Sequence, residues 1–131
     1  MVQSYKELKV WQKAIELVAV VYRHTQSFPK EEMYGLTSQI RRGAVSIPSN
    51  IAEGCERNST RDLIRFVHIA KGSLAELETQ LLIAMKLDYL SSALYFELTQ
   101  KMAEIGRMLN GLITSLDKPA TGDPPLATEE V

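Results

Sequence analysis

Apolar side chains recur every three or four residues in four stretches of the chain, which is the spacing of amphipathic helices. The first stretch, residues 6–27, contains two such stripes side by side. One stripe is Val10, Ala14, Leu17 and Val21, and the other is Trp11, Ile15, Val18, Tyr22 and Thr25. The other three stretches begin near residues 29, 60 and 92, and short turns separate the second from the third and the third from the fourth. The pattern predicts an all-α fold, an antiparallel up-and-down four-helix bundle.

Residues at the predicted helix ends support these boundaries. Ser4 with Glu7 resembles a capping box for the first helix, and Phe28–Pro29 ends it. The second helix is predicted to begin between Pro29 and Glu32, and Ser59 or Thr60 to cap the third. Pro48 should kink the second helix, because proline cannot donate the helical hydrogen bond. The stripes keep their phase across Pro48, which favours one kinked helix; the alternative is a break there.

The second helix also carries a polar stripe roughly 80° wide. We call this stripe the polar seam, and its members are Gln39, Arg42, Ser46, Asn50 and Glu53. One interpretation is a specific contact surface, in which Arg42 and Glu53 pair across a subunit contact, so that Glu53→Ala dissociates an oligomer. The other is a buried network whose hydrogen bonds are satisfied within the chain.

Apolar positions in the first and third helices are more frequent than the roughly three in seven that one bundle core needs. The surplus predicts surface that self-association buries. Residues 1–116 are predicted to form the bundle. Residues 117–131 contain three prolines and four acidic residues, and they are predicted to be a disordered tail that folding does not need.

Charge and cysteine content narrow the function classes. The tail contributes −3 to a net charge of −1, so the remaining residues carry only +2. Cys55 is the single cysteine, so no intramolecular disulfide is possible, and nothing in the sequence has metal-ligand spacing. The absence of a secretory signal or a long apolar run predicts a cytoplasmic protein with no membrane partner.

Basic side chains concentrate around the turn between the second and third helices. This basic cluster is a candidate nucleic-acid-binding site, and its members are Arg41, Arg42, Arg57, Arg61, Arg65 and Lys71. Glu53, Glu56 and Asp62 lie among them. The alternative is that these cations form salt bridges between subunits.

Catalytic chemistry finds no support in the sequence. Neither His24 nor His68 has a glutamate three residues before it, as a di-metal bundle requires. Glu76 and Glu78 are two residues apart, on different sides of a helix. We therefore expect no catalytic residues, no metal, no cofactor and no enzyme activity.

Several sequence motifs resemble one family. They are Trp11-Gln12-Lys13-Ala14, Val21-Tyr22, Phe28-Pro29, Tyr34-Gly35-Leu36, Gln39-Ile40-Arg41-Arg42, Ser46-Ile47-Pro48-Ser49-Asn50-Ile51-Ala52-Glu53-Gly54 and Gly72-Ser73-Leu74-Ala75-Glu76-Leu77-Glu78. The chain resembles the 23S rRNA intervening-sequence proteins, also called S23 ribosomal proteins, over roughly residues 5–116. The resemblance implies a cytoplasmic four-helix bundle that assembles into a homopentamer, with no catalytic residue to carry over. More distant relatives, the accessory proteins of diversity-generating retroelements, bind nucleic acid but are strongly basic.

Two functions follow as hypotheses. The first is a non-enzymatic homo-oligomer, expected to be a pentamer, that associates with RNA or another nucleic acid. The alternative is a structural or adaptor oligomer that binds a protein partner. Binding that weakens steeply with salt would indicate the first.

Overall fold

A computed structural model describes residues 4–118 and contains four long helices. They are α1 (Lys9–Thr25), α2 (Leu36–Cys55), α3 (Thr60–Lys86) and α4 (Ser92–Leu116). Each packs against the next along the chain, and α4 closes the bundle against α1. No strand occurs within residues 4–118. The structure thus confirms the predicted four-helix bundle.

Two helices begin later than the sequence predicted. Residues Tyr5–Glu7 form a separate 3-10 turn, and the Ser4 hydroxyl caps that turn by accepting from the backbone N–H of Lys6, rather than capping α1. A second 3-10 turn, Lys30–Glu32, precedes α2. The Glu32 carboxylate accepts from the backbone N–H of Leu36 at 3.1 Å, so this side chain caps α2 from outside. The Ser59 cap of α3 is confirmed, since its hydroxyl accepts from the Asp62 N–H.

Helix α2 runs unbroken through Pro48, which is buried. The single second helix is therefore confirmed, and the alternative of a break at Pro48 is wrong. The missing hydrogen bond is tolerated because flanking turns and burial against the core hold the helix on both sides. The kink at Pro48 remains a prediction.

One apolar core fills the bundle. The α1 stripe Val10, Ala14, Leu17 and Val21 is at most 1% exposed. It meets matching residues of the other helices, among them Ile40, Ala44, Ile47, Ile51, Val67, Leu77, Leu81, Leu98, Ile105, Leu109 and Leu112. The other α1 stripe lies largely at the rim of this core, so α1 has one buried stripe and one half-exposed stripe.

Helix α4 ends at Leu116, and the division of the chain into a bundle and a tail remains a prediction. Residues 119–131 lie outside the described residues, so the disordered tail remains a prediction. None of the four helices is both long and apolar enough to cross a bilayer.

Candidate functional site

The middle of the polar seam is a hydrogen-bond network inside the chain. The Ser46 and Ser73 hydroxyls lie 2.8 Å apart and join α2 to α3. The Asn50 side-chain amide donates to the Ser46 carbonyl at 2.8 Å and to the Ser46 hydroxyl at 2.9 Å. Ser46 and Asn50 therefore bond within the chain, and the Ser46–Ser73 bond joins α2 to α3. A contact between the polar seam and another subunit stays a prediction.

The two ends of the polar seam face outwards. Gln39, Arg42 and Glu53 are exposed. Glu53 accepts from Arg57, one turn away, at 3.0 Å, and both side chains are about half exposed. Within residues 4–118, Arg42 and Glu53 form no ion pair with each other, since eleven residues of helix separate them.

The structure divides the basic cluster into separate parts. Arg41 turns back onto α1, where its Nε donates to the Thr25 hydroxyl at 2.9 Å and its Nη2 to the Tyr22 carbonyl at 3.3 Å. Its guanidinium also lies 4.6 Å from the centre of the Tyr22 ring. Arg41 is therefore engaged in joining α1 to α2.

Three arginines remain together at the α2–α3 turn, Arg57, Arg61 and Arg65. The Arg57 and Arg65 guanidinium groups lie 5.0 Å and 4.5 Å from the centre of the Phe66 ring. Arg65 also approaches Asp62 at 3.9 Å. Stacking holds two guanidinium groups against one ring, which favours recognition of anions or flat bases at this end of the bundle.

The other two cations lie elsewhere. Arg42 is exposed on the polar seam of α2. Lys71 lines a shallow groove between α3 and α4, with Leu74, Glu78 and Met102. The six basic residues therefore do not form one continuous patch, and Glu53 and Asp62 offset part of the charge at the turn.

An apolar groove between α1 and α2 is a surface feature that the sequence analysis did not locate. Its volume is about 250 Å³, and it is lined by Tyr5, Trp11, Ile15, Val18, Val45, Pro48, Ser49 and Ala52. Ile15 remains 42% exposed and Val45 39%. The signal for this apolar groove was present as the second apolar stripe of α1, but helical periodicity does not say which of two adjacent stripes the core covers.

Reactive groups are sparse in the described part of the chain. Residues 4–118 contain no group of three or more His, Cys, Asp or Glu side chains that could hold a metal ion. Partial burial, and to a lesser extent the neighbouring Glu56, raise the pKa of the Cys55 thiol, which favours the unreactive protonated form. His68 is exposed on α3.

Comparison with known proteins identifies the family. Residues 6–111 match the family model of the 23S rRNA-intervening sequence protein. The chain belongs to this family. A crystal structure of a protein with unknown function from the S23 ribosomal protein family of Bacteroides thetaiotaomicron VPI-5482 shares the fold, with a TM-score of 0.74 and 24% sequence identity. The alignment covers 80% of this chain and 95% of that one. No curated protein matches the chain.

Proposed function

We propose that this member of the 23S rRNA-intervening sequence protein family is a non-enzymatic four-helix bundle that works as a homo-oligomer, assembled through the apolar groove. One observation carries the proposal. Trp11, Ile15, Val18 and Val45 line an open apolar groove, in which Ile15 is 42% and Val45 39% exposed. Burial of apolar surface contributes about 25 cal/mol per Å². A second copy that fills this groove would therefore stabilise the oligomer relative to the separate chains. The proposed oligomer is a cytoplasmic pentamer, as the family resemblance implies.

The mass of the full-length protein in solution tests this proposal. We expect light scattering at micromolar concentration to give a mass near five times that of the 14.7 kDa chain. Ile15→Asp, which puts a charge into the groove, should reduce the mass to that of one chain while the helical circular dichroism signal persists. Glu16→Gln, at an exposed neighbouring position, is the control and should assemble normally. A wild-type mass of one chain contradicts the proposal.

Nucleic-acid binding is the second candidate function, favoured by the stacked arrangement of Arg57 and Arg65 on Phe66. Its test is the affinity of the full chain for structured RNA as salt concentration rises. A phosphate-binding mode predicts that affinity falls steeply with salt, and that Arg61→Ala reduces the salt slope by about one. Binding to a protein partner instead, with little salt dependence and no RNA affinity, would favour the adaptor alternative.

A further inference from the structure

We propose that the groove is filled by Ile69 of a second copy, with α2 of one copy lying antiparallel to α3 of the next. This inference rests on the proposed self-association and names the surface that meets the groove. Ile69 is 41% exposed on α3 although it is a large apolar side chain. The chain therefore carries an apolar groove on one surface and an exposed apolar side chain on another. A head-to-tail contact between copies requires two such different surfaces.

The exposed face of α3 around Ile69 permits a close approach. Gly72 lies one turn further along, and a Cβ built there would meet nothing within 4 Å in the chain. An exposed glycine in a helix interior costs roughly 0.5–1 kcal/mol relative to alanine, and packing within the bundle does not require it here. A neighbouring helix is able to approach the backbone closely at this point.

Charges on the two helices are arranged to match. On α2, Arg42 and Glu53 are both exposed and lie eleven residues apart, within about 40° of each other around the helix. On α3, Arg65 and Glu76 are also exposed, eleven residues apart and on one side of the helix. The order from N-terminus to C-terminus is positive then negative in both helices. Antiparallel pairing therefore sets Arg42 opposite Glu76 and Glu53 opposite Arg65.

The heights of these residues along the bundle also agree. The Ser46–Ser73 hydrogen bond shows which residues of α2 and α3 lie at one level within the chain. Counting from that pair along antiparallel helices, Arg42 lies one residue from the level of Glu76, and Glu53 one residue from that of Arg65. This offset is about 1.5 Å. In a ring whose axis is parallel to the helices, neighbouring copies are related by rotation alone and are not shifted along the axis. Residues at one level within a chain are then at the same level in the next copy, so each charge lies opposite a charge of the other sign.

The same register brings Ile69 to the groove. Ile69 lies four residues before Ser73, which places it level with Asn50 and beside Ser49, a residue that lines the groove. The contact then has an apolar centre, Ile69 in the groove, with one ion pair on each side. The in-chain pairs Glu53–Arg57 and Arg65–Asp62 are exposed and weak enough to exchange partners.

A charge swap in the full chain tests the register. Arg42→Glu and Glu76→Arg should each raise the dissociation constant of the oligomer by roughly tenfold or more, because like charges then face each other. The double variant should restore assembly, since every contact then has an opposite pair. Glu78→Arg, the same charge change at another exposed position of α3, is the control and should assemble normally. A double variant that assembles no better than the single variants would overturn the inference.

A mixing experiment separates this inference from the proposed function. Ile15→Asp blocks the groove and Ile69→Asp blocks the surface that enters it, and each variant alone should have the mass of one chain. Mixed, they should form a complex of two chains that grows no further, because each retains one working surface. If Ile69→Asp assembles like wild type, self-association stands and the inference is wrong. If the wild-type protein itself has the mass of one chain, both fail.

Discussion

The junction between α2 and α3 is tight and polar, whereas the junction between α1 and α2 is looser and apolar. Small residues line the first: a Cβ at Gly54 would lie 2.8 Å from the Cβ of Phe66, and one at Gly43 would lie 3.9 Å from the Cβ of Leu77. Large side chains such as Trp11 and Ile15 line the second and leave the apolar groove. The separation of packed helices depends on the side chains at their contact. Helix α2 therefore packs closely against α3 and less closely against α1.

The contacts of α2 also differ between the two junctions. On the α3 side, the hydrogen bond between Ser46 and Ser73 joins the two helices, and Asn50 bonds to Ser46 within α2. On the α1 side, the cation Arg41 lies over Tyr22 and bonds to Thr25 near the end of α1, while the groove occupies the middle. The first junction therefore holds two helices together by hydrogen bonds, and the second leaves an apolar groove on the surface.

The largest expected effect is loss of core volume at the tight junction. Leu77 is fully buried where α3 faces Gly43 of α2. Leu77→Ala should lower the free energy of unfolding by roughly 2–5 kcal/mol, through lost burial and an unfilled cavity. Leu82→Ala, at a position 38% exposed on the same helix, is the matched control and should cost under about 1 kcal/mol. Urea denaturation measures the free energy of unfolding of both variants. Equal losses would show that the α2–α3 junction is not tightly packed at Leu77.

Two glycine substitutions should have opposite effects. Gly54→Ala should destabilise the bundle by about 1–3 kcal/mol, because the new methyl group overlaps Phe66 and Leu63. Gly72→Ala should stabilise a single chain by up to about 1 kcal/mol, because helix propensity improves and the space there is open. Thermal unfolding of the two variants in parallel tests this. Stabilisation by Gly54→Ala would show that the α2–α3 junction is not tight.

The hydrogen bonds at the tight junction should contribute less than its packing. Ser46→Ala removes the bond to Ser73 and one acceptor of Asn50. It should lower the free energy of unfolding by about 0.5–1.5 kcal/mol. Ser92→Ala, at an exposed serine of α4 outside the groove, is the control and should change it by less than about 0.5 kcal/mol. A double-mutant cycle with Ser73→Ala should show coupling between the two serines, and strict additivity would mean that their bond contributes nothing.

The smallest effect is expected outside both junctions. Deletion of residues 117–131 should leave the melting temperature nearly unchanged, because their composition has no core-facing period. Calorimetry of the deletion variant and the full chain at the same salt concentration is the measurement. A drop of several degrees would show that this segment packs against the bundle.

The sequence by itself determined the number of helices and their order, because the spacing of apolar residues imposes a helical period. It also limited the cap of α3 to Ser59 or Thr60 and favoured a continuous α2 through Pro48, whose neighbours keep their phase; the structure decided both. The sequence placed the start of α2 too early, because the Glu32 side chain that caps it acts from outside the helix.

Only the tertiary structure decided which polar residues bond within the chain and which face outwards. Ser46 bonds to Ser73 of α3 and Asn50 bonds to Ser46, while Arg42 on the same stripe faces outwards. Arg41 and Arg42 are neighbours in sequence, yet α1 engages one and leaves the other exposed. Which of two adjacent stripes is buried depends on the sizes of the side chains across each contact, and these meet only when the helices pack.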